Sequence, residues 1–301
     1  MKSSGVGGQA VIEGVMMRHK NLVSVAVRNP EGAICVQTET DSGFLSRHPG
    51  IKKVPFLRGI FVFGNSMAVG MRALNYASSF YDETGAEEKK GAARLEEICV
   101  TGLSFAFAIL LFMVVPYLAA TLLKRSGIGQ TGFALAEGLI RLTVFFLYII
   151  LIGKIPDMKR VFMYHGAEHK CINCIEQGLP LTVDNVRKSS REHRRCGTSF
   201  LFYVILISIL LHTFITADGL KGNILLRLVL IPVVMGLSYE FIRLAGNSDH
   251  ALVVLLSRPG LFLQGFTTAE PDDAQIEVGI ASVEAVFDWK AFEKEVFHDI
   301  L

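Results

Sequence analysis

The chain holds 301 residues, of which 51% are hydrophobic and only 19% charged, which excludes a disordered, collagenous or disulfide-framework protein. With 30 Lys and Arg against 28 Asp and Glu the net charge is +2, too even for a nucleic-acid-binding domain, so no nucleic-acid partner is expected. The mean hydropathy of +0.42 is high for a soluble domain and comes from long uncharged apolar runs, which point to a membrane.

Residues 1–53 read as a soluble, β-rich segment. Val23, Val25 and Val27 alternate with Ser24, Ala26 and Arg28, Asn29-Pro30-Glu31-Gly32 turns the chain, and Ile34, Val36 and Thr38 continue the alternation, which predicts a hairpin. Gly5-Val6-Gly7-Gly8 shares its glycine content with phosphate-cradling loops, but no strand precedes it, so it reads as a turn or flexible tail. In the segment 54–99, Leu57, Ile60, Phe61, Gly64, Met67, Ala68, Met71 and Leu74 recur at helical spacing between Arg58 and Arg72. That apolar face is too short to cross a bilayer, and predicts a helix lying in the membrane interface or buried in the soluble domain. Residues 82–97 read as a charged helix or linker.

The run Val100–Leu123 has no Asp, Glu, Lys, Arg or His, and about 20 apolar residues at 1.5 Å rise suffice to cross a hydrocarbon core of about 30 Å. Phe133–Gly153 carries Glu137 and Arg141, Thr198–Thr216 carries His212, and Ile224–Ala245 carries Arg227, Glu240 and Arg243. Transmembrane helices 1 and 2 therefore fill 100–153, helices 3 and 4 fill 198–245, and a basic loop, 154–197, joins the pairs. Glu137 and Arg141, spaced i and i+4, are expected to pair near the outer interface, and His212 to hydrogen-bond between helices. A transport path would need Glu137, Arg141, His212 and Glu240 to line one cavity.

No apolar leader is seen in the first 50 residues, and Lys and Arg concentrate in the 154–197 loop rather than in the other short loops, so both termini are expected in the cytoplasm. In the cytoplasmic segment 246–301, Arg258-Pro259-Gly260 and Glu270-Pro271-Asp272-Asp273 read as turns, Ile276, Val278 and Ile280 as a strand, and the chain from about Val283 as a helix. The expected fold is a mainly α polytopic membrane protein with a small cytoplasmic β-containing domain built from the N- and C-terminal segments. Its partners would be the lipid bilayer and a membrane protein complex.

Chemistry concentrates on the stretch from Asp157, a plausible N-cap, to Gly178, a plausible stop, which predicts one helix. There His165, Glu168 and His169 share a face. Two imidazoles one turn apart can hold one metal ion, with the neighbouring carboxylate as general base on water, which is the logic of H-x-x-E-H. A third ligand must come from elsewhere: Glu176 is roughly 16 Å along the axis from His165, too far, leaving His193, Cys196 or Glu240. A competing arrangement on the other face joins Cys171 and Cys174 to His193 and Cys196, the spacing of a closed structural zinc clip. In the plainer alternative, the histidines are hydrogen-bonded helix residues and the thiols fill apolar space.

Gly7-Gly-Gln-Ala-Val-Ile-Glu-Gly-Val-Met-Met-Arg18, Pro55-Phe-Leu-Arg-Gly59, Tyr164-His-Gly-Ala-Glu-His-Lys170, Arg195-Cys-Gly-Thr-Ser-Phe200 and the Gln264 to Val283 tail resemble the YqhQ-like family of bacterial membrane proteins. The likeness spans nearly the whole chain, with Arg194 standing where proline is usual. It implies a bacterial cytoplasmic (inner) membrane protein of a family labelled a predicted metal-dependent enzyme, the label resting on His165 to Lys170, and it brings no substrate. Together these readings favour a zinc-dependent hydrolase with Glu168 catalytic, against a non-enzymatic scaffold or assembly partner held by a structural metal or His/Cys cluster.

Overall fold

Four segments rich in β-branched and apolar residues pair into an antiparallel meander, β1 (Val6–Val11), β2 (Gly14–His19), β3 (Leu22–Arg28) and β4 (Ile34–Thr40), in that spatial order. The computed structural model describes residues 2–81, 90–124, 127–215, 217, 219–248 and 250–297. The expected hairpin is β3 and β4, with Ala26 opposite Val36. The glycine string, by contrast, is not a tail: it begins β1, where Gly8 faces Met17. Two-residue turns close the first two hairpins, with Glu13 and Lys20 in the left-handed region at φ 48° and 55°.

A short helix, α1 (Phe44–Arg47), and a tight turn at Pro49–Lys53 lead into α2 (Leu57–Ser78). Val69, Ala73 and Ala77 of α2 pack on one sheet face against Val11, Met16, Val23, Val25 and Val27. The amphipathic helix is therefore packed on the sheet rather than lying alone at an interface. The charged stretch after it falls largely outside the described residues.

The apolar runs form α3 (Lys90–Ile109), which passes through a π-helical turn at Leu110–Val114 into α4 (Val115–Lys124), and α5 (Gln130–Ile152). Between them and the next pair come α6 (Pro156–Glu176) and α7 (Val183–Lys188), followed by α8 (Gly197–Phe214) and α9 (Gly219–Asn247). Among the described residues, four helical stretches are long and apolar enough to cross a membrane: Ile98–Leu123, Gln130–Ile152, Gly197–Phe214 and Lys221–Asn247. They pack in sequence, with Tyr117 on Phe133, Phe145 and Ile149 near Ile205, and Tyr203 on Phe241. The first half of α2 joins this bundle to the soluble layer, where Gly59 lies against Tyr239 too closely to admit a Cβ.

Past the last span, Arg258-Pro259-Gly260 is not a turn but lies within α10 (Ala251–Thr267), where Gly260 lets the helix approach Ser199 and Tyr203. Nor is the Ile276, Val278, Ile280 alternation a strand. It belongs to α11 (Asp273–Glu284), opened by an Asp272/Gln275 capping box, with Ile276, Val278, Gly279, Ser282 and Val283 all buried. A last helix, α12 (Trp289–Phe297), follows. The two ends of the chain do meet: α6 and α11 cover the second sheet face, joining Val6, Val15, Met17 and Ala26 to Tyr164, Ile172, Ile276 and Val278 in one core.

Candidate metal centre

Pro156 at the first position and Asp157 in the first turn start α6 as helix statistics favour, and Gly178 at φ 73° ends it. From Tyr164 onward nearly every side chain of α6 is buried, polar ones included, because sheet, α11 and the 187–196 loop enclose it. Gly166 admits the neighbouring chain: a Cβ there would lie 2.1 Å from the Ala269 carbonyl oxygen.

A buried polar helix must satisfy its side chains, and α6 does so on backbone carbonyls of the loop. Lys170 Nζ donates to the carbonyls of Arg187 (2.8 Å) and Ser189 (3.0 Å), and Asn173 Nδ2 to those of Ser190 (2.6 Å) and Glu192 (2.9 Å). Gln264 of α10 then clamps His193 through both its backbone N–H (2.8 Å) and its carbonyl (2.7 Å). These bonds fold the loop along α6 and bring Cys196, which caps α8, against the two histidines.

His165 Nδ1 lies 2.9 Å from the Thr267 carbonyl oxygen and His169 Nδ1 2.6 Å from that of Arg191. A carbonyl only accepts, so both Nδ1 atoms carry the proton, and both Nε2 atoms are the ones available to a metal. His165 Nε2 is 3.3 Å from Cys196 Sγ, and the ligand atoms of His165, His169 and Cys196 all lie within 4.8 Å of one another. Tetrahedral zinc, with Zn–N of about 2.0 Å and Zn–S of about 2.3 Å, sets ligand atoms roughly 3.5 Å apart, so the nearest edge of the triangle already has that size. Nitrogen and thiolate donors are the set zinc prefers.

The electrostatics suit a cation. Burial opposes ionisation of the Cys196 thiol, yet the imidazoles of His165 and His169 beside it hold it well below the ordinary thiol value. Burial likewise disfavours charge on His165, and the Cys196 sulfur and Glu168 outweigh it and push that imidazole up. Glu168 is held above the ordinary carboxylate range by burial, against the pull of His169 and His165, and its Oε2 lies 3.9 Å from His165 Nε2.

The other candidates stand apart from this triangle. Glu240 accepts from Arg58 and from the Phe56 N–H (3.0 Å), clamping α2 to α9. His193 sits with its ring 5.6 Å from that of His169, and its Nε2 3.7 Å from Glu176. Burial raises Glu176, but His193, Arg195 and the Ser4 N–H (2.8 Å) together bring it to about 2. Cys171 and Cys174 lie in the apolar core instead of joining His193 and Cys196 in a clip. Cys171 Sγ rests on Gly279 and Cys174 Sγ faces the carbonyls of Leu179 and Pro180, and burial keeps both as thiols, the second at about 11. Among the described residues no other group of three such side chains converges.

The family described as "Protein of unknown function (DUF1385)" matches residues 54–289, a span that contains the whole triangle. The chain belongs to this family. It is similar to the "Uncharacterized protein YqhQ" of Bacillus subtilis (strain 168), 38% identical over 305 residues that cover 96% of this chain and 94% of that one. No solved structure matches.

In this DUF1385 chain the residues that sequence reasoning passed over are the supporting ones: Lys170, Asn173, Gln264, and the carbonyls of Arg191 and Thr267. Two of them carried a signal, since a Lys and an Asn on the helix that bears the histidines require partners once that helix is buried. The intramembrane ionisable residues divide. Glu137, Arg141 and His212 gather with Arg227 in one cluster, whereas Glu240 lies elsewhere, so the four do not line one cavity.

Proposed function

We propose that the protein is a membrane metalloprotein whose His165, His169 and Cys196 hold zinc, with Glu168 beside them as the group that moves protons in a hydrolytic reaction. The observation that carries this reading is the pair of Nδ1–H bonds to the Thr267 and Arg191 carbonyls, which leave both Nε2 lone pairs at Cys196. Zinc supplies Lewis acidity and lowers the pKa of water toward about 7. The chain itself supplies orientation and a proton carrier. Glu168, held above the ordinary carboxylate range by burial, would accept a proton from an attacking water and return it to the leaving group. Cys196 directly precedes α8, and Thr267 ends an apolar helix, so the centre lies at the membrane boundary. The surplus of Lys and Arg in the 154–197 loop supports the cytoplasmic side of a bacterial cytoplasmic membrane for that boundary, with both termini inside.

One observation favours the second reading, a structural ion in a scaffold. His169 is 1% exposed, Cys196 5% and Glu168 4%, and the His193 ring, 5.6 Å from that of His169, is a candidate fourth ligand that would close the site.

Elemental analysis of the purified full-length protein tests the site. About one zinc per chain is expected in the native protein and in the Cys171→Ser/Cys174→Ser and Glu168→Gln variants, with loss in Cys196→Ser and in His165→Ala/His169→Ala. A native protein without zinc, or zinc retained without Cys196 and the two histidines, contradicts it. Loss of hydrolysis of p-nitrophenyl probes in the zinc-loaded Glu168→Gln variant separates the enzyme from the scaffold.

A further inference from the structure

The far ends of three spans enclose a second polar centre. Glu137 on α5 pairs with Arg141 on its own helix (2.6 Å) and with Arg227 on α9, and Arg141 also donates to Ser208 on α8. All are buried, the Glu137, Arg141 and Arg227 side chains showing 4%, 6% and 5% exposure, and Arg227 lies over the Tyr117 ring at 4.5 Å. Counted from Gln130, Phe214 and Lys221 at 1.5 Å per residue, Glu137, Ser208, His212 and Arg227 lie within about 10 Å of the helix ends, with Arg141 one turn deeper. Those are the ends opposite Cys196 and α6, so the cluster is on the other side of the bundle from the candidate metal centre.

Its charges do not cancel. Among the described residues one carboxylate faces two guanidiniums, leaving one positive charge where the low dielectric makes an uncompensated ion expensive. Its hydrogen bonds do not close either. Among the described residues Arg141 Nε has no acceptor, and His212, one turn beyond Ser208 on the same face of α8 and in the electrostatic field of both guanidiniums, has no hydrogen bond of normal geometry at Nδ1 or Nε2. Even with the Ser208 carbonyl one turn back assigned to Nδ1, Nε2 is left without a partner. Buried polar groups are almost always satisfied, and two orphaned nitrogens beside one surplus positive charge have a common remedy.

We propose that Arg141, His212 and Arg227 form a binding site for a singly charged oxyanion, a phosphodiester or carboxylate, entering from the membrane face opposite the metal centre. Such a ligand accepts from Arg141 Nε–H and from the N–H of His212, and its charge balances the second guanidinium. Basic pockets between transmembrane helices take lipid headgroups in this way, and a free anion offers the same chemistry.

The test uses the full-length protein, delipidated in detergent, with melting temperature and native mass spectrometry as readouts. The probes are phosphatidylglycerol against phosphatidylcholine of the same acyl chains, and acetate or inorganic phosphate against a bulky sulfonate at constant ionic strength. A saturable rise in melting temperature is expected with the lipid phosphodiester or with the soluble oxyanion, and which probe works identifies the source. His212→Ala, and Arg141→Lys, which keeps the charge but removes the Nε donor, should each weaken binding about tenfold, the worth of one charge-assisted hydrogen bond. If Arg141→Lys does not fold, His212→Ala alone decides. No saturable response to any probe, or the same response in the folded variants as in the native protein, overturns the proposal.

Discussion

Gly8 of β1 lies against Glu168 of α6 so closely that a Cβ on the glycine would stand 2.9 Å from the glutamate Cγ and 2.5 Å from the Met16 carbonyl oxygen. The strand thus forms one wall around the carboxylate next to the two histidines. Gly8→Ala should cost about 1–3 kcal/mol by overpacking, while Gly7→Ala, with nothing within 4 Å, should stay within about 0.5 kcal/mol. Thermal unfolding of the two variants in the same detergent checks this. Equal stabilities would mean that the wall gives way.

Asn173 holds two loop carbonyls that have no helix or sheet to pair with. Asn173→Leu removes the donor from both part-buried carbonyls, and should cost about 1–3 kcal/mol for each that water does not reach. Because the same loop delivers Cys196, zinc affinity should fall together with stability. A variant with lowered melting temperature and unchanged zinc affinity would show that Cys196 is placed without the loop's help.

Glu176 makes stability pH-dependent with a definite sign. Its folded value of about 2 lies below the ordinary carboxylate value, so its ion pairs contribute fully above that ordinary value, fade below it and vanish near pH 2. The full contribution is on the order of 3 kcal/mol. Melting curves between pH 7 and pH 3 should show a steeper decline for the native protein than for Glu176→Gln. Parallel curves would show that Arg195 and His193 do not stabilise the carboxylate.

Gly166 faces the Ala269 carbonyl oxygen where a Cβ would come within 2.1 Å. Gly166→Ala must therefore push α6 away from the segment after α10, lengthening the His165 to Thr267 bond. The variant should fold less stably and bind zinc more weakly, measured by competition with a chelator. Native-like zinc affinity would show that the Thr267 carbonyl does not set the His165 ring.

The spans were legible because lipid requires long apolar runs, and the β3 and β4 hairpin because Val23, Val25 and Val27 alternate with Ser24, Ala26 and Arg28 before the Asn29-Pro30-Glu31-Gly32 turn, although both faces of β3 are buried. β2 gave no such alternation: Val15 and Met17 enter one core and Met16 the other, so burial on both faces erased the period. α11 misled for a different reason. Its buried residues follow helical spacing with Asp273, Ala274, Glu277 and Glu284 exposed, but Ile276, Val278 and Ile280 fell on alternate positions, and the capping box at Asp272 and Gln275 was the better sign. At the site, i and i+4 spacing was enough to pair His165 with His169, and Cys196 was within the set of third ligands. What selected Cys196 over His193 and Glu240 was a set of backbone carbonyls, and a carbonyl has no signature in sequence because every residue carries one.

X-ray absorption of the zinc-loaded full-length protein decides whether His165, His169 and Cys196 hold the ion. One sulfur at about 2.3 Å and two imidazole nitrogens at about 2.0–2.1 Å are expected, with the sulfur lost in Cys196→Ser and kept in Cys171→Ser/Cys174→Ser. A shell of two or more sulfurs, or one that loses sulfur when Cys171 and Cys174 are replaced, would contradict that assignment.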